Sequence, residues 1–115
     1  MMIQLLFVAI GGFFGSIIRF FISNRLNKHF FGTWIANISG SILLAILLRY
    51  YLTGTIPDYL WLLLGVGFCG AYTTFSTFGN ETIQLLLAKK YQTAMYYVLS
   101  SFTLSIILVG IVLVW

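Results

Sequence analysis

Apolar residues fill this 115-residue chain in four long runs, and short polar stretches separate them. The runs cover about residues 2–22, 33–52, 59–88 and 91–115. A helix needs about 20 mostly apolar residues to cross roughly 30 Å of hydrocarbon, and each run is that long. The connections are Ser23-Asn24-Arg25-Leu26-Asn27-Lys28-His29, then Thr53-Gly54-Thr55-Ile56-Pro57-Asp58, then Lys89-Lys90. The pattern predicts an all-α membrane protein, a single transmembrane domain over 1–115 with four transmembrane helices. The first run lacks the positive start and the small-residue cleavage site of a secretory signal, so it is expected to stay in the membrane.

The third run departs from a simple span. As one rod, residues 59–88 would extend about 45 Å at 1.5 Å per residue. Its middle reads Gly65-Val66-Gly67-Phe68-Cys69-Gly70-Ala71-Tyr72-Thr73-Thr74-Phe75-Ser76-Thr77-Phe78-Gly79-Asn80. Glycines weaken a helix, and Ser and Thr offer its backbone competing hydrogen bonds. A third helix broken mid-membrane is therefore expected, against the alternative of a long tilted helix with a glycine kink. Irregular backbone at that depth persists only where protein buries it or a polar pathway lines it, and broken helices present unwound carbonyls to cations. Gly65-Val66-Gly67-Phe68-Cys69-Gly70 matches G-x-G-x-x-G by letter. It lacks the strand, helix and distal acid of a dinucleotide site and is set aside.

Composition narrows the classes. Hydrophobic residues make up 61% and charged residues 7%, where soluble domains hold about 45–50% and about 25%. This excludes a soluble domain and a disordered chain, and the single cysteine, Cys69, excludes a disulfide scaffold. No hydrophilic block could house a nucleotide-driven pump. The scattered bases form no nucleic-acid patch, and no nucleophile–base pair, metal cluster or acid dyad indicates an enzyme. Arg25, Lys28, Lys89 and Lys90 lie on one side of the membrane and Arg49 on the other, which predicts both termini outside.

Polar residues inside spans mark functional candidates. Thr33, Asn37 and Ser41 form one stripe, and Tyr97, Ser101 and Ser105 a second. In the third span Thr73 shares a face with Ser76 and Thr77, while Phe75 and Phe78 share another. A lone hydroxyl stripe would read as helix–helix glue; several beside a broken helix point to a lined pathway. Hydroxyl and amide hydrogens donate, and aromatic rims are electropositive, so the expected passenger is an anion. Cation pores would show acidic or carbonyl rings, and the acids are only Asp58, in a turn, and Glu81. Arg19 is read either as a snorkelling residue or as a fixed charge drawing anions to a vestibule. Gly11 and Gly15 are expected at a close helix contact, His29 in a loop, Cys69 in packing, and Glu81 beside a base. So thin a bundle with polar stripes is expected to oligomerise.

Three stretches carry a resemblance: Gly11-Gly12-Phe13-Phe14-Gly15-Ser16-Ile17-Ile18-Arg19, Gly32-Thr33-Trp34-Ile35-Ala36-Asn37-Ile38-Ser39-Gly40, and residues Gly67 to Phe78 with Gly70-Ala71-Tyr72-Thr73-Thr74-Phe75-Ser76-Thr77-Phe78 at their centre. In order and spacing the chain resembles the Fluc/CrcB fluoride channels along essentially its whole length. The resemblance implies an antiparallel, dual-topology homodimer in the cell inner (plasma) membrane, with two fluoride pores and a structural Na⁺ at the central interface. It implies passive export of fluoride, which enters as HF from acidic surroundings and is trapped inside as the anion. By position, Phe75 and Phe78 would be an aromatic box and Asn37 the pore amide. Ser76, Thr77, Tyr97, Ser101 and Ser105 would continue the pore, with Arg19 at the vestibule. The carbonyls of Gly70 and Thr73 would hold the Na⁺. The lysine and arginine count predicts one fixed orientation, where the resemblance implies both. The rival classes are a proton-coupled exporter of the small multidrug kind, which needs a membrane carboxylate that the first span lacks, and a non-transporting assembly subunit.

Overall fold

The computed structural model describes residues 1–26 and 30–114. Asn27, Lys28, His29 and Trp115, together with the side chains of Leu26, Phe30 and Ser76, lie outside the described residues, and with them the readings of Lys28 as a loop cation, His29 as a loop residue and Ser76 as a pore hydroxyl. The elements run α1 (Met2–Leu26), α2 (Phe30–Leu52), α3 (Asp58–Leu60), a π-helical segment (Trp61–Cys69), α4 (Gly70–Tyr72), α5 (Ser76–Leu87) and α6 (Tyr91–Val114). Among the described residues four crossings are long and apolar enough for a membrane: Met2–Arg25, Phe31–Leu52, Asp58–Leu87 and Tyr91–Val114. The third is the interrupted one, as the glycine- and threonine-rich middle predicts.

The ends follow local chemistry. The helix α1 continues through Ser23, Asn24 and Arg25, which the hydropathy pattern places in the turn. No glycine or proline stops it there, and a polar last turn is soluble at the interface. The end of α2 is closed by Gly54 at φ 77°, with Thr55 N–H donating to the Tyr50 carbonyl (2.9 Å) and Gly54 N–H to Tyr51 (3.1 Å). This is the glycine-terminated C-cap that satisfies the last carbonyls. The same cap closes α5, with Lys89 at φ 61° and Lys90 N–H bonded to the Leu85 carbonyl at 2.9 Å. The Arg49 guanidinium on α2 donates to the Val112 carbonyl at 2.8 Å, placing a cation at the negative end of α6.

Packing rests on backbone touching backbone. A methyl added at Gly11 would strike the Leu63 carbonyl, one at Gly15 the Phe68 carbonyl, and one at Gly67 would come within 2.5 Å of the Val8 carbonyl. The expected small-residue contact of Gly11 and Gly15 is thus against the π-helical segment. Small side chains let helices approach where lipid supplies no hydrophobic drive between them. The buried apolar set among the described residues is accordingly small: Ala36, Ala45, Cys69 and Ala94, with Ile38, Tyr72, Phe78 and Tyr97. Cys69 packs, as its sequence context indicates. Phe13, Phe14, Phe20 and Phe21 on α1 point outward, an apolar surface suited to acyl chains.

The contact predicts a contrast between neighbours. Gly12 has its nearest non-local atom 3.7 Å from a would-be Cβ, an ordinary contact. Gly11→Ala should cost about 1–3 kcal/mol from overpacking and lower the thermal midpoint in detergent by several degrees. Gly12→Ala should leave it level or slightly raised, because alanine favours helix. Equal midpoints would contradict the packing.

Candidate functional site

The interruption of the third crossing has a defined geometry. Thr73 leaves the helix in extended conformation (φ −84°, ψ 155°), which a β-branched residue adopts readily. Thr74 N–H donates to Asn37 Oδ1 at 2.7 Å, and Asn37 Nδ2 donates to the Thr74 carbonyl at 2.9 Å. One carboxamide on α2 therefore satisfies both main-chain polar groups of Thr74, the residue at the break. An N–H must face an oxygen, so this pairing also fixes which way the amide points. Gly40 leaves the space into which the Thr73 methyl and the Tyr72 ring pack, and the Tyr72 and Ser39 hydroxyls lie 2.8 Å apart. The run Asn37-Ile38-Ser39-Gly40 is a seat for the broken segment.

The break releases carbonyls. In an unbroken helix Thr74 N–H would bond the Gly70 carbonyl and Thr77 N–H the Thr73 carbonyl. Here Thr74 N–H goes to Asn37, and Thr77 N–H goes to Thr74 Oγ1 at 3.3 Å. Gly70 is exposed, with open space beyond its Cα. Thr73 and Thr77 do not share a helical face, contrary to the periodicity reading, because the extended Thr73 resets the register before α5 begins.

Beside the break lies a cavity of about 290 Å³ in the seam between α2 and α6, lined among others by Asn37, Ser41, Phe75, Phe78, Ser101 and Ser105. The structure thus brings five of the sequence-proposed pore residues to one place. Phe75 and Phe78 are 6.2 Å apart between ring centroids, but Phe78 is buried while Phe75 is 77% exposed. Phe78 also meets Phe102 edge-on at 5.9 Å. Phe102, Thr73 and Thr74 line the cavity too. Sequence periodicity passes over Phe102 and Thr74; the available signal is their adjacency to Ser101 and Thr73.

Not every hydroxyl here is free to donate inward. Ser41 gives its proton to the Asn37 carbonyl (2.7 Å), Ser101 to Tyr97 (2.6 Å) and Thr73 to Cys69 (2.9 Å), each within its own chain segment. Among the described residues no acceptor takes the Ser105 proton, and Asn37 uses one N–H of its amide on Thr74. Among the described residues the donors left for a guest are the Thr74 and Ser105 hydroxyls, the second Asn37 N–H and the aromatic rims. Donors without acceptors in an apolar wall suit an anion.

The other proposed residues fall elsewhere. Tyr97 is buried, stands behind Phe78 at 4.9 Å between rings, and has Thr33 and Glu81 flanking its hydroxyl. Thr77 is exposed on α5 and Arg19 half-buried on α1; neither is among the residues that line the cavity.

Comparison with known proteins follows the same stretch of chain. The family described as CrcB-like protein, Camphor Resistance (CrcB), matches residues 6–113. A protein of Bacillus thuringiensis subsp. konkukian (strain 97-27) named fluoride-specific ion channel FluC 2 is 44% identical over 112 residues, covering 92% of this chain and 91% of that protein. One of the same name from Moorella thermoacetica is 40% identical, covering 96% and 89%. The fluoride-specific ion channel FluC of Methanocaldococcus jannaschii is 45% identical over 86 residues, covering 72% and 69%.

The Asn37 clamp is testable by stability alone. Asn37→Ala strands the Thr74 N–H and carbonyl, at about 1–3 kcal/mol for each unsatisfied group, and should lower the thermal midpoint well beyond 5 °C. Ser41→Ala removes a hydroxyl that bonds only its own helix and should shift it little. Similar midpoints for the two variants would contradict the clamp.

Proposed function

The chain belongs to the CrcB-like family, and on that premise we infer that it is a passive, fluoride-selective channel that lets fluoride leave the cytoplasm and so relieves its toxicity. It is a multi-pass protein of the plasma membrane, with four crossings among the described residues. The observation that carries the reading is the cavity in which Asn37, Phe75, Phe78 and Ser105 converge beside the break. A small, strongly hydrated anion sheds water only where other donors replace it. The second Asn37 N–H and the Thr74 and Ser105 hydroxyls supply strong donors, and the Phe78 and Phe102 rims supply weak ones in a confined apolar space. Preset donors in a low dielectric act more strongly than in water.

One chain leaves this cavity open. The exposure of Phe75 and of Gly70 favours a second copy as the missing wall, in the antiparallel arrangement that gives an isologous, closed dimer. Gly70 and Thr73, with carbonyls released from helix bonding and open space at Gly70, fit a structural Na⁺ held through backbone oxygens between the copies. Bound there, Na⁺ would offset the negative ends of carbonyl dipoles that the break turns toward the interface. Arg19 acts as a fixed charge near one entrance.

The test is efflux from fluoride-loaded proteoliposomes, read by a fluoride electrode. We expect fast efflux that needs no proton gradient and is absent for chloride, slowed about tenfold or more in Ser105→Ala by loss of a hydrogen bond to the ion. Efflux that requires a proton gradient would instead favour an exporter working through Glu81, and no efflux would favour an assembly role. A tag at the C-terminus should be accessible from both membrane faces; access from one face alone would contradict the antiparallel homodimer.

A further inference from the structure

A second cavity, about 270 Å³, lies in the same α2–α6 seam and is lined by Phe31, Trp34, Thr93, Tyr96, Tyr97 and Ser100. Trp34 stands one helical turn before Asn37, a rise of about 4.5 Å, and Ser100 directly precedes Ser101. The seam therefore presents its polar residues as two successive groups. Tyr97 walls the second cavity and stacks 4.9 Å from Phe78, which walls the first. The tilted Phe78–Tyr97 pair is the partition between them.

Aromatic residues at this end of the helices could serve only as an interfacial belt, whose indole N–H groups face headgroups and water. The Trp34 indole does otherwise. It turns inward and donates to Ser100 Oγ at 3.0 Å, across to α6. Ser100 in turn lies 3.4 Å from the Tyr97 carbonyl, a long and weak bond, while Ser101 holds that same carbonyl at 2.6 Å. The Ser100 proton is thus only loosely engaged, and the Trp34 N–H has no acceptor role to play. Both can be redirected to an anion without breaking a helix bond. Phe31 stacks on the Trp34 ring at 5.9 Å and 17°, holding the indole in place.

We propose that this second cavity is a further anion-binding station of the pore, where the Trp34 indole N–H and the Ser100 and Thr93 hydroxyls take fluoride on the far side of the Phe78–Tyr97 partition. This rests on the fluoride-channel reading. With the station in place, an ion leaving Asn37 and Ser105 meets new donors within about one helical turn and is never fully stripped of them. At rest the Trp34–Ser100 bond bridges α2 and α6 across the station.

Two measurements on the whole protein test it. In the ¹⁵N-labelled protein, sodium fluoride should shift the Trp34 indole N–H resonance saturably, while sodium chloride and the indole of Trp61 serve as references that stay in place. In proteoliposomes, Trp34→Phe and Ser100→Ala should each slow fluoride efflux about tenfold or more, and Ser100→Thr, which restores the hydroxyl, should retain it. An unmoved Trp34 resonance at saturating fluoride, or wild-type efflux in Trp34→Phe, would overturn the station while wild-type efflux upholds the channel. Absence of efflux from the wild-type protein would overturn both.

Discussion

Neither main-chain polar group of Thr74 bonds along its own crossing; both its N–H and its carbonyl are held by the Asn37 side chain. Much else follows from this exchange. Thr74 cannot serve as the donor for Gly70, so the helix stops, Thr73 extends, and α5 restarts with the Thr77 amide capped locally by the Thr74 hydroxyl. In lipid an open backbone group has no water to fall back on. The interruption is therefore tolerable only because a side chain of matching donor–acceptor pattern stands opposite. Asparagine offers one of each in fixed geometry, which neither serine nor aspartate can copy.

The carboxamide has a double duty, which changes how polar residues in the seam should be weighed. Counting hydroxyls suggests a richly donating wall, but Ser41, Ser101 and Thr73 have already returned their protons to backbone carbonyls. Their oxygens still present lone pairs, and those repel an anion. Selective handling of a small halide then depends on few donors at defined places, which explains why aromatic rims and close walls matter as much as hydroxyl number.

Much of the fold was legible in the chain. The four apolar runs locate the crossings because span length is set by the bilayer, and Gly65, Gly67, Thr73 and Thr74 announce the break through their known dislike of helix interiors. The i, i+4 spacing of Asn37 and Ser41, and of Ser101 and Ser105, correctly puts them on one seam. Three features were not legible. The face shared by Thr73 and Thr77 assumed continuity across the break itself. The place of Phe102 against Phe78 depends on the rotation of α6, which stripes of hydroxyls fix only to within a residue or so. The occupation of the Asn37 amide by Thr74 is a contact across 37 positions, invisible to any local pattern. What covers Phe75 belongs to the assembled protein, beyond one chain.

Amide hydrogen exchange at Thr74 tests the central claim most directly. With Asn37 in place, this non-helical amide should exchange slowly, at rates near those of the flanking helices. In Asn37→Ala it should exchange faster by orders of magnitude while amides around Ala36 and Ala45 keep their protection. Equal exchange at Thr74 in both proteins would mean that the third crossing is broken by something other than the Asn37 side chain, and the account would fail.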